Sequence, residues 1–393
     1  MFKILVKVCV AVTVCSGLTA CFKDEPLNSE CDIEKAWVHY DEPELCTWNL
    51  SDTIIEKVYT GESTITFKVK PGTDRSSLAP QFVVTEGATL FPENGSVQNF
   101  ANGPVAYTTT SQDGNWQRIY HVSVIEERRT VRDIIEFDFE RVEVFTDEFT
   151  KKQYYKWNDL KEDGTDANNW ASANGGFSIS NPSAKLDEYP TVPVEDGFDG
   201  KAVKLETKAT GAIAQAMKKL MAAGNLFLGK FITENALKDA LGSTHFGLPF
   251  DKKPLKFTGY YKYKPGPTFM YEDGRVDEGR KDEGAIYAIL YKNHDKDGNP
   301  VMLHGDYAQK KEESENIVAK AILPEVRPVE EWTRFEVDFD YYGADVDYDL
   351  LNSFGYNLAV VFSSSKDGAY FHGAIGSTLY IDKVSVICET SKQ

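Results

Sequence analysis

Three features of the 393-residue sequence predict an all-β chain built as two sandwiches in series. Short runs of β-branched and aromatic residues recur at intervals of roughly eight to twelve residues. Turn dipeptides such as Pro71-Gly72, Asn94-Gly95 and Asp113-Gly114 separate them. Only Ile213 to Ala223 carries a clear helical period, with Ile213, Met217, Leu220 and Met221 on one face. The expected architecture is an N-terminal immunoglobulin-like β-sandwich, then a larger jelly-roll β-sandwich with a short helical insertion.

Residues 1–20 carry Lys3 and Lys7, then an apolar stretch, then small residues, which is the pattern of a secretory signal peptide. Leu18-Thr19-Ala20-Cys21 resembles a bacterial lipobox, in which Cys21 becomes the acylated N-terminal residue. Phe22-Lys23-Asp24-Glu25 resembles the short export signal of surface lipoproteins in gut bacteria. The expected location is therefore the outer membrane, lipid-anchored and facing the exterior, with acyl chains contributing about 0.8 kcal/mol per buried CH₂. Cys9 and Cys15 leave with the signal, so Cys31, Cys46 and Cys388 remain. Three pairings are open to them; Cys31 with Cys46 is the favoured one, closing a short loop for about 3 kcal/mol.

Residues 21–50 read as a tether and irregular lead-in, and residues 51–126 as the immunoglobulin-like unit. Ile65 to Val69, Tyr107 to Thr109 and Arg118 to Val124 are its clearest strands. The charged run Glu126-Glu127-Arg128-Arg129 connects it to residues 130–388. Strands are expected there at Ile134 to Glu140, Ala202 to Glu206, Leu255 to Tyr263, Ala285 to Tyr291, Phe335 to Tyr341, Tyr356 to Ser363 and Leu379 to Val386. A second short helix is expected from Thr233 to Leu241, stopped by Gly242.

Composition excludes several functions. The formal net charge is −18, and removal of Lys3 and Lys7 makes it more negative, so a phosphate-collecting nucleic-acid surface is not expected. The same acidity makes a neutral polysaccharide a better partner than an anionic one. No CxxC pair, HExxH, Walker loop or GxSxG motif is present. No cofactor is expected beyond a possible structural calcium, for which Asp295, Asp297 and Asn299 are the weak candidates. Pro300 stands where a calcium loop needs glycine, and Asp297-Gly298 between apolar runs also reads as a hairpin turn. His294 and His304 flank that turn. Glycosidase chemistry needs two carboxylates about 5–10 Å apart; Glu140, Asp306, Glu336 and Asp382 lie in or beside strand runs.

An ordered set of segments carries a resemblance over residues 130–388. It comprises Phe227-Leu228-Gly229-Lys230, Phe246-Gly247-Leu248-Pro249-Phe250, Gly259-Tyr260-Tyr261-Lys262-Tyr263, Ser363-Ser364-Ser365-Lys366 and Gly373-Ala374-Ile375-Gly376-Ser377-Thr378-Leu379-Tyr380-Ile381-Asp382. They resemble the putative carbohydrate metabolism domain family of bacterial surface lipoproteins. That resemblance implies a jelly roll of the galactose-binding, carbohydrate-binding type and a polysaccharide or oligosaccharide partner. Tyr260, Tyr261, Tyr263, Trp157 and Trp170 are candidates to present flat faces to sugar rings, with Ser364, Lys366 and His372 as polar contacts. The catalytic residues and oligomeric state stay unassigned. The expected function is glycan capture on a concave aromatic face. The alternatives are a glycoside hydrolase with a carboxylate pair in that groove and a structural or adhesive protein whose face is filled by segment 213–241.

Overall fold

The computed structural model describes residues 26–160, 166–167, 169–305 and 315–390. The signal segment, Cys21 and Asp306 lie outside the described residues. The chain forms two β-units, as the strand spacing predicts. Among the described residues no helix is long and apolar enough to cross a membrane.

The N-terminal unit packs a four-stranded sheet against a three-stranded one. The first runs Thr64–Val69, Gln117–Glu126, Val105–Thr110 and Thr89–Phe91; the second runs Ile54–Ile55, Ile33–Trp37 and Gln81–Val84. Thr64–Val69 and Gln117–Glu126 pair in parallel. Alternation sends Ile65, Phe67 and Val69 into one core with Phe82, Tyr107, Tyr120 and Val122. Ile33 and Ala36 belong to that core, so the packed sheet reaches back into the segment expected to be an irregular lead-in.

The expected Cys31–Cys46 disulfide is absent, and both thiols are free, as is that of Cys388. The sheet explains why. The Cys31 carbonyl accepts the Thr109 hydroxyl, and Thr109 lies opposite Arg118. The Cys46 carbonyl accepts the Lys70 amide, just beyond Val69, which lies opposite Glu126. At about 3.3 Å per residue the run from Arg118 to Glu126 separates these levels by more than about 20 Å, beyond the reach of a disulfide.

The larger unit packs two sheets face to face. The inner-cavity sheet orders Trp170–Ala171, Asn225–Phe231, Tyr356–Ser363, Ala285–Lys292 and Ile317–Ile322. The outer sheet orders Thr191–Val194, Ala202–Glu206, Thr378–Cys388, Pro254–Lys264 and Val329–Asp338, with Ile134–Phe137 also on Thr378–Cys388. Period-two alternation puts Phe257, Tyr261 and Tyr263 on the core side and Lys256, Tyr260 and Lys262 outside. A bulge lets Thr378–Cys388 keep both its halves inward. The register slips by one residue between Thr258 and Tyr260, and Lys383 takes a positive φ of 46°. Leu379 and Ile381 before the slip, and Val384 and Val386 after it, all reach the core. Gly259 faces inward where a Cβ would come within 2.7 Å of the Phe335 ring, so only glycine fits.

The helical insertion differs from expectation. Its helix is only Ala212–Ala216; Lys218 turns left-handed at φ 62°, and Met221–Ala222 returns as a strand on Lys208–Ala209. Ile213 and Met217 stand 52% and 47% exposed, so their apolar spacing does not mark a buried face. Thr233–Asn235 is a single 3-10 turn rather than the longer helix expected. A helix at Asn174–Ser180 has no signal in the sequence, because Gly175 and Gly176 disfavour helix. They serve packing: a Cβ on Gly175 would lie 2.3 Å from Thr233 Oγ1.

The two units touch. Lys230 Nζ lies 3.0 Å from Glu62 Oε1, the Gly61 amide donates to Glu234 Oε2 at 3.2 Å, and Asn49 Nδ2 donates to the Ser353 carbonyl. Trp48 packs on Phe354 with ring centroids 5.8 Å apart.

Candidate functional site

Two surfaces of the larger unit have the chemistry of sites, one on each sheet. On the inner-cavity sheet, Leu226, Leu228, Ile286, Val360 and Phe362 turn into the sandwich core, which leaves Phe227, Tyr287 and Val361 on the far face. That face is not the open concave groove expected. Helix Asn174–Ser180 and residues from segments 210–223, 231–241 and 366–371 line a partly open cavity of about 150 Å³ against it. Phe177, Phe227, Phe231, Phe246 and Phe371 all line it. Lys219 and Lys366 also reach it, and no carboxylate among the described residues does.

The serine motif lies beside the cavity and is structural. Asp282 is buried, and its Oδ2 accepts Ser365 Oγ at 2.6 Å, Ser377 Oγ at 2.6 Å and the Ala374 amide at 2.8 Å. Thr207 Oγ1 joins Ser364 Oγ at 2.7 Å and Ser365 Oγ at 2.5 Å. Burial pushes the Asp282 carboxyl up, and the three donors pull it back. Ser364 is fully enclosed and so is not a ligand contact. Lys366 keeps one side on the cavity, with Nζ 3.6 Å from Glu283 Oε2. His372 sits edge-on to Tyr271, with ring centroids 5.2 Å apart.

Four of the five aromatic candidates belong to the interior. Trp157 and Trp170 are each 1% exposed, and Tyr261 and Tyr263 are buried with them. Tyr261 and Tyr263 share the inward parity of Phe257, and the Tyr263 hydroxyl donates to the Ser364 carbonyl at 3.3 Å. Only Tyr260 points outward. Phe198 stacks on it, with ring centroids 3.7 Å apart and planes 12° from parallel, and is itself 46% exposed.

Tyr260 belongs to an aromatic patch on the outer sheet that the sequence reading did not assemble. Lys262 lies opposite Tyr380, and Tyr380 opposite Lys204. Lys262 Nζ sits 4.6 Å from the Trp332 ring centroid and 5.4 Å from that of Tyr380. Lys204 pairs with Glu206 at 2.6 Å. The patch thus offers half-exposed rings beside cations, a carboxylate and hydroxyls. Period-two counting was the available signal: Tyr260, Lys262 and Lys264 share one face.

Two of the suspected acids hold this patch together instead of flanking a cleft. Glu140 Oε1 accepts the Lys201 amide at 2.8 Å. Asp382, fully buried and with its carboxyl pushed up by that burial, accepts the Asp199 amide at 3.0 Å. Between them they fix the turn carrying Phe198. Gly200, at φ +78°, passes so close to Glu140 that a Cβ would lie 2.0 Å from its Oε1. Glu336 is engaged by Lys256 and Arg334, each at 2.6 Å.

The suspected calcium loop is a closed turn. Asp295 Oδ1 accepts the amides of Asp297 and Asn299, both at 2.9 Å, and Asn299 Nδ2 donates to Asp295 Oδ2 at 3.0 Å. Both Asp295 carboxylate oxygens are thus engaged within the loop. His304 packs against His245, with ring centroids 5.1 Å apart, and not against His294. Among the described residues no group of three or more metal-ligating side chains is assembled.

Asp159 is the described acid whose carboxyl is raised to about 7, chiefly by burial, with a hydrogen bond from Trp170 Nε1 pulling it down. Its folded value lies above the unfolded one, near 3.9. The folded state therefore holds the proton more tightly, and this contribution to stability is present at low pH and lost as pH rises from about 4 to 7. The stability of wild type relative to Asp159→Asn, measured by urea unfolding, should fall by on the order of 2–4 kcal/mol between about pH 4 and pH 8. A difference that is flat with pH contradicts this reading.

The comparisons with known proteins agree with this geometry at the level of fold. A family model described as "putative carbohydrate metabolism domain" matches residues 138–387, and one described as "SGBP, N-terminal" matches residues 45–124. No curated protein matches the chain. A solved structure described as a putative glycoside hydrolase from Bacteroides thetaiotaomicron is 35% identical, with 94% of this chain and 100% of that chain covered and a TM-score of 0.76. Another, described as a putative glycoside hydrolase from Bacteroides vulgatus, is 39% identical, with 65% of this chain and 98% of that chain covered and a TM-score of 0.60. The first match spans well over half the chain, and the two homologous structures share its fold: the protein belongs to the putative carbohydrate metabolism domain family.

Proposed function

We propose that this protein is a lipid-anchored surface protein that captures polysaccharide or oligosaccharide on the outer sheet of its larger unit. The immunoglobulin-like unit would act as spacer from the outer membrane. Family membership supports a glycan-related function in general. The observation that carries the binding reading is the exposed patch of Phe198, Tyr260, Trp332 and Tyr380 with Lys204, Glu206 and Lys262 among them. A pyranose has an apolar C–H face that packs on a ring and a rim of hydroxyls that needs polar partners. The lipid anchor rests on the Cys21 motif and the outward orientation on Phe22-Lys23-Asp24-Glu25.

A glycoside hydrolase is the second reading, supported by the names carried by the two Bacteroides proteins. Hydrolysis needs a facing carboxylate pair. The cavity has none among its described lining residues, and Glu140 and Asp382 are engaged by backbone amides. Binding is therefore the stronger reading.

Affinity electrophoresis against xylan, mannan, β-glucan and starch tests it. Retardation is expected on at least one gel, and Phe198→Ala combined with Trp332→Ala should weaken it about tenfold or more. No retardation on any gel, or retardation untouched by the double substitution, would overturn the assignment of this patch.

A further inference from the structure

The cavity of the inner-cavity sheet is poorly matched to a sugar. A sugar needs polar partners around its whole rim, yet three of the hydroxyls at this wall spend their donor on backbone carbonyls. Ser180 Oγ donates to the Phe177 carbonyl at 3.0 Å, Ser363 Oγ to the Ser365 carbonyl at 2.8 Å, and Thr210 Oγ1 to the Lys219 carbonyl. What remains is a phenylalanine-rich chamber of about 150 Å³. An apolar cavity on the order of 150 Å³ accommodates a single benzene-sized ring.

The charged groups at the wall are both cations. Lys219 Nζ donates to the Leu237 carbonyl at 2.7 Å and lies 5.3 Å from the Phe371 ring centroid. Burial pulls its ammonium pKa down, and Asp239 acts in the opposite direction. Lys366 lies on the same wall, with Glu283 at 3.6 Å. Lys219 and Lys366 are the charged side chains among the described lining residues, and their acidic neighbours, Asp239 and Glu283, lie outside that lining. A neutral apolar guest would leave both ammonium groups without a partner in the cavity; a guest carrying a carboxylate on an apolar ring would match both halves of the chamber.

We infer that this cavity is a binding site for a small single-ring aromatic carboxylate. The ring lies among Phe227, Phe231 and Phe371, and the carboxylate meets the lysines. The site is separate from the glycan patch, which lies on the other sheet, and either assignment stands without the other.

Calorimetric titration of the full chain with benzoate and cinnamate is the test, with benzyl alcohol and glucuronate as controls. Benzoate or cinnamate should bind at millimolar concentration or below, and benzyl alcohol about tenfold more weakly. Glucuronate, an anion without the apolar ring, should not bind. Lys219→Met, which keeps the side-chain length, should weaken benzoate about tenfold. Ala240→Phe, which places a ring at the cavity wall, should abolish binding. Thermal melts check that both variants are folded; if Ala240→Phe is not, Lys219→Met and the two control ligands still decide. Polysaccharide retardation measured on the same variants should be unchanged, so loss of one activity is distinguishable from loss of the other. The inference is overturned if neither aromatic acid binds, if Lys219→Met leaves their affinity unchanged, or if benzyl alcohol or glucuronate binds as well as benzoate.

Discussion

Trp170→Ala should destabilise the larger unit by about 3–5 kcal/mol. The indole sits where both sheets meet, with ring centroids 5.1 Å from Phe137, 5.3 Å from Phe139 and 6.1 Å from Phe362. Removing it opens a cavity whose walls come from separate strands and cannot collapse together. It also takes the Nε1–H donor, 2.8 Å away, from Asp159. Trp170→Phe separates the two effects, because it keeps most of the ring packing and loses only the donor. It should cost about 1–3 kcal/mol. Urea unfolding monitored by circular dichroism gives both values. A loss below about 1 kcal/mol for the alanine variant would mean that this tryptophan is not the centre of the core.

Asp282→Ala should cost about 3 kcal/mol or more. One carboxylate oxygen satisfies two serine hydroxyls and a backbone amide. Each buried donor left without an acceptor costs about 1–3 kcal/mol. The melting temperature of the larger unit should fall by roughly 6–12 °C, at 2–4 °C per kcal/mol for a unit of this size. Asp282→Asn retains a carbonyl oxygen but introduces an NH₂ group among donors, so its loss should be intermediate. Equal stability of wild type and Asp282→Ala would show that water replaces the carboxylate and that the network is not a structural joint.

Much of the fold was legible because strand formation depends on local patterning. Ala202–Glu206 and Tyr356–Ser363 match expectation residue for residue, and Pro254–Lys264 differs by one residue at each end. The sequence pattern could not show the slip at Lys383, since a bulge arises from pairing between strands. The stripe Ile213–Met217 reads as buried by period, but Lys218 ends the helix and leaves both side chains in solvent.

Site residues were harder to read for a related reason. Tyr260, Tyr261 and Tyr263 are chemically alike, and only parity separates the exposed ring from the buried two. Phe198 joins the patch through a turn fixed by Glu140 and Asp382, which come from distant parts of the chain. Ser364, read as a candidate polar contact, bonds Thr207 inside a buried network that also holds Ser365 and Asp282, a residue the motif does not include. The cavity is made by segments far apart in sequence, so no spacing rule announces it.

The clasp between the two units has a mechanical meaning. Lys230 and Glu234, which grip Glu62 and the Gly61 amide, lie on either side of Phe231 in the cavity wall and close to Ala236. Were the chain held at its N-terminal end while a polymer pulled on the larger unit, as proposed above, the Lys230–Glu62 contact beside Phe231 would lie between the two points of load. A surface ion pair such as Lys230–Glu62 holds about 0–1 kcal/mol, so it would yield before either hydrophobic core does. The first element to feel a pull would be the lining of the cavity.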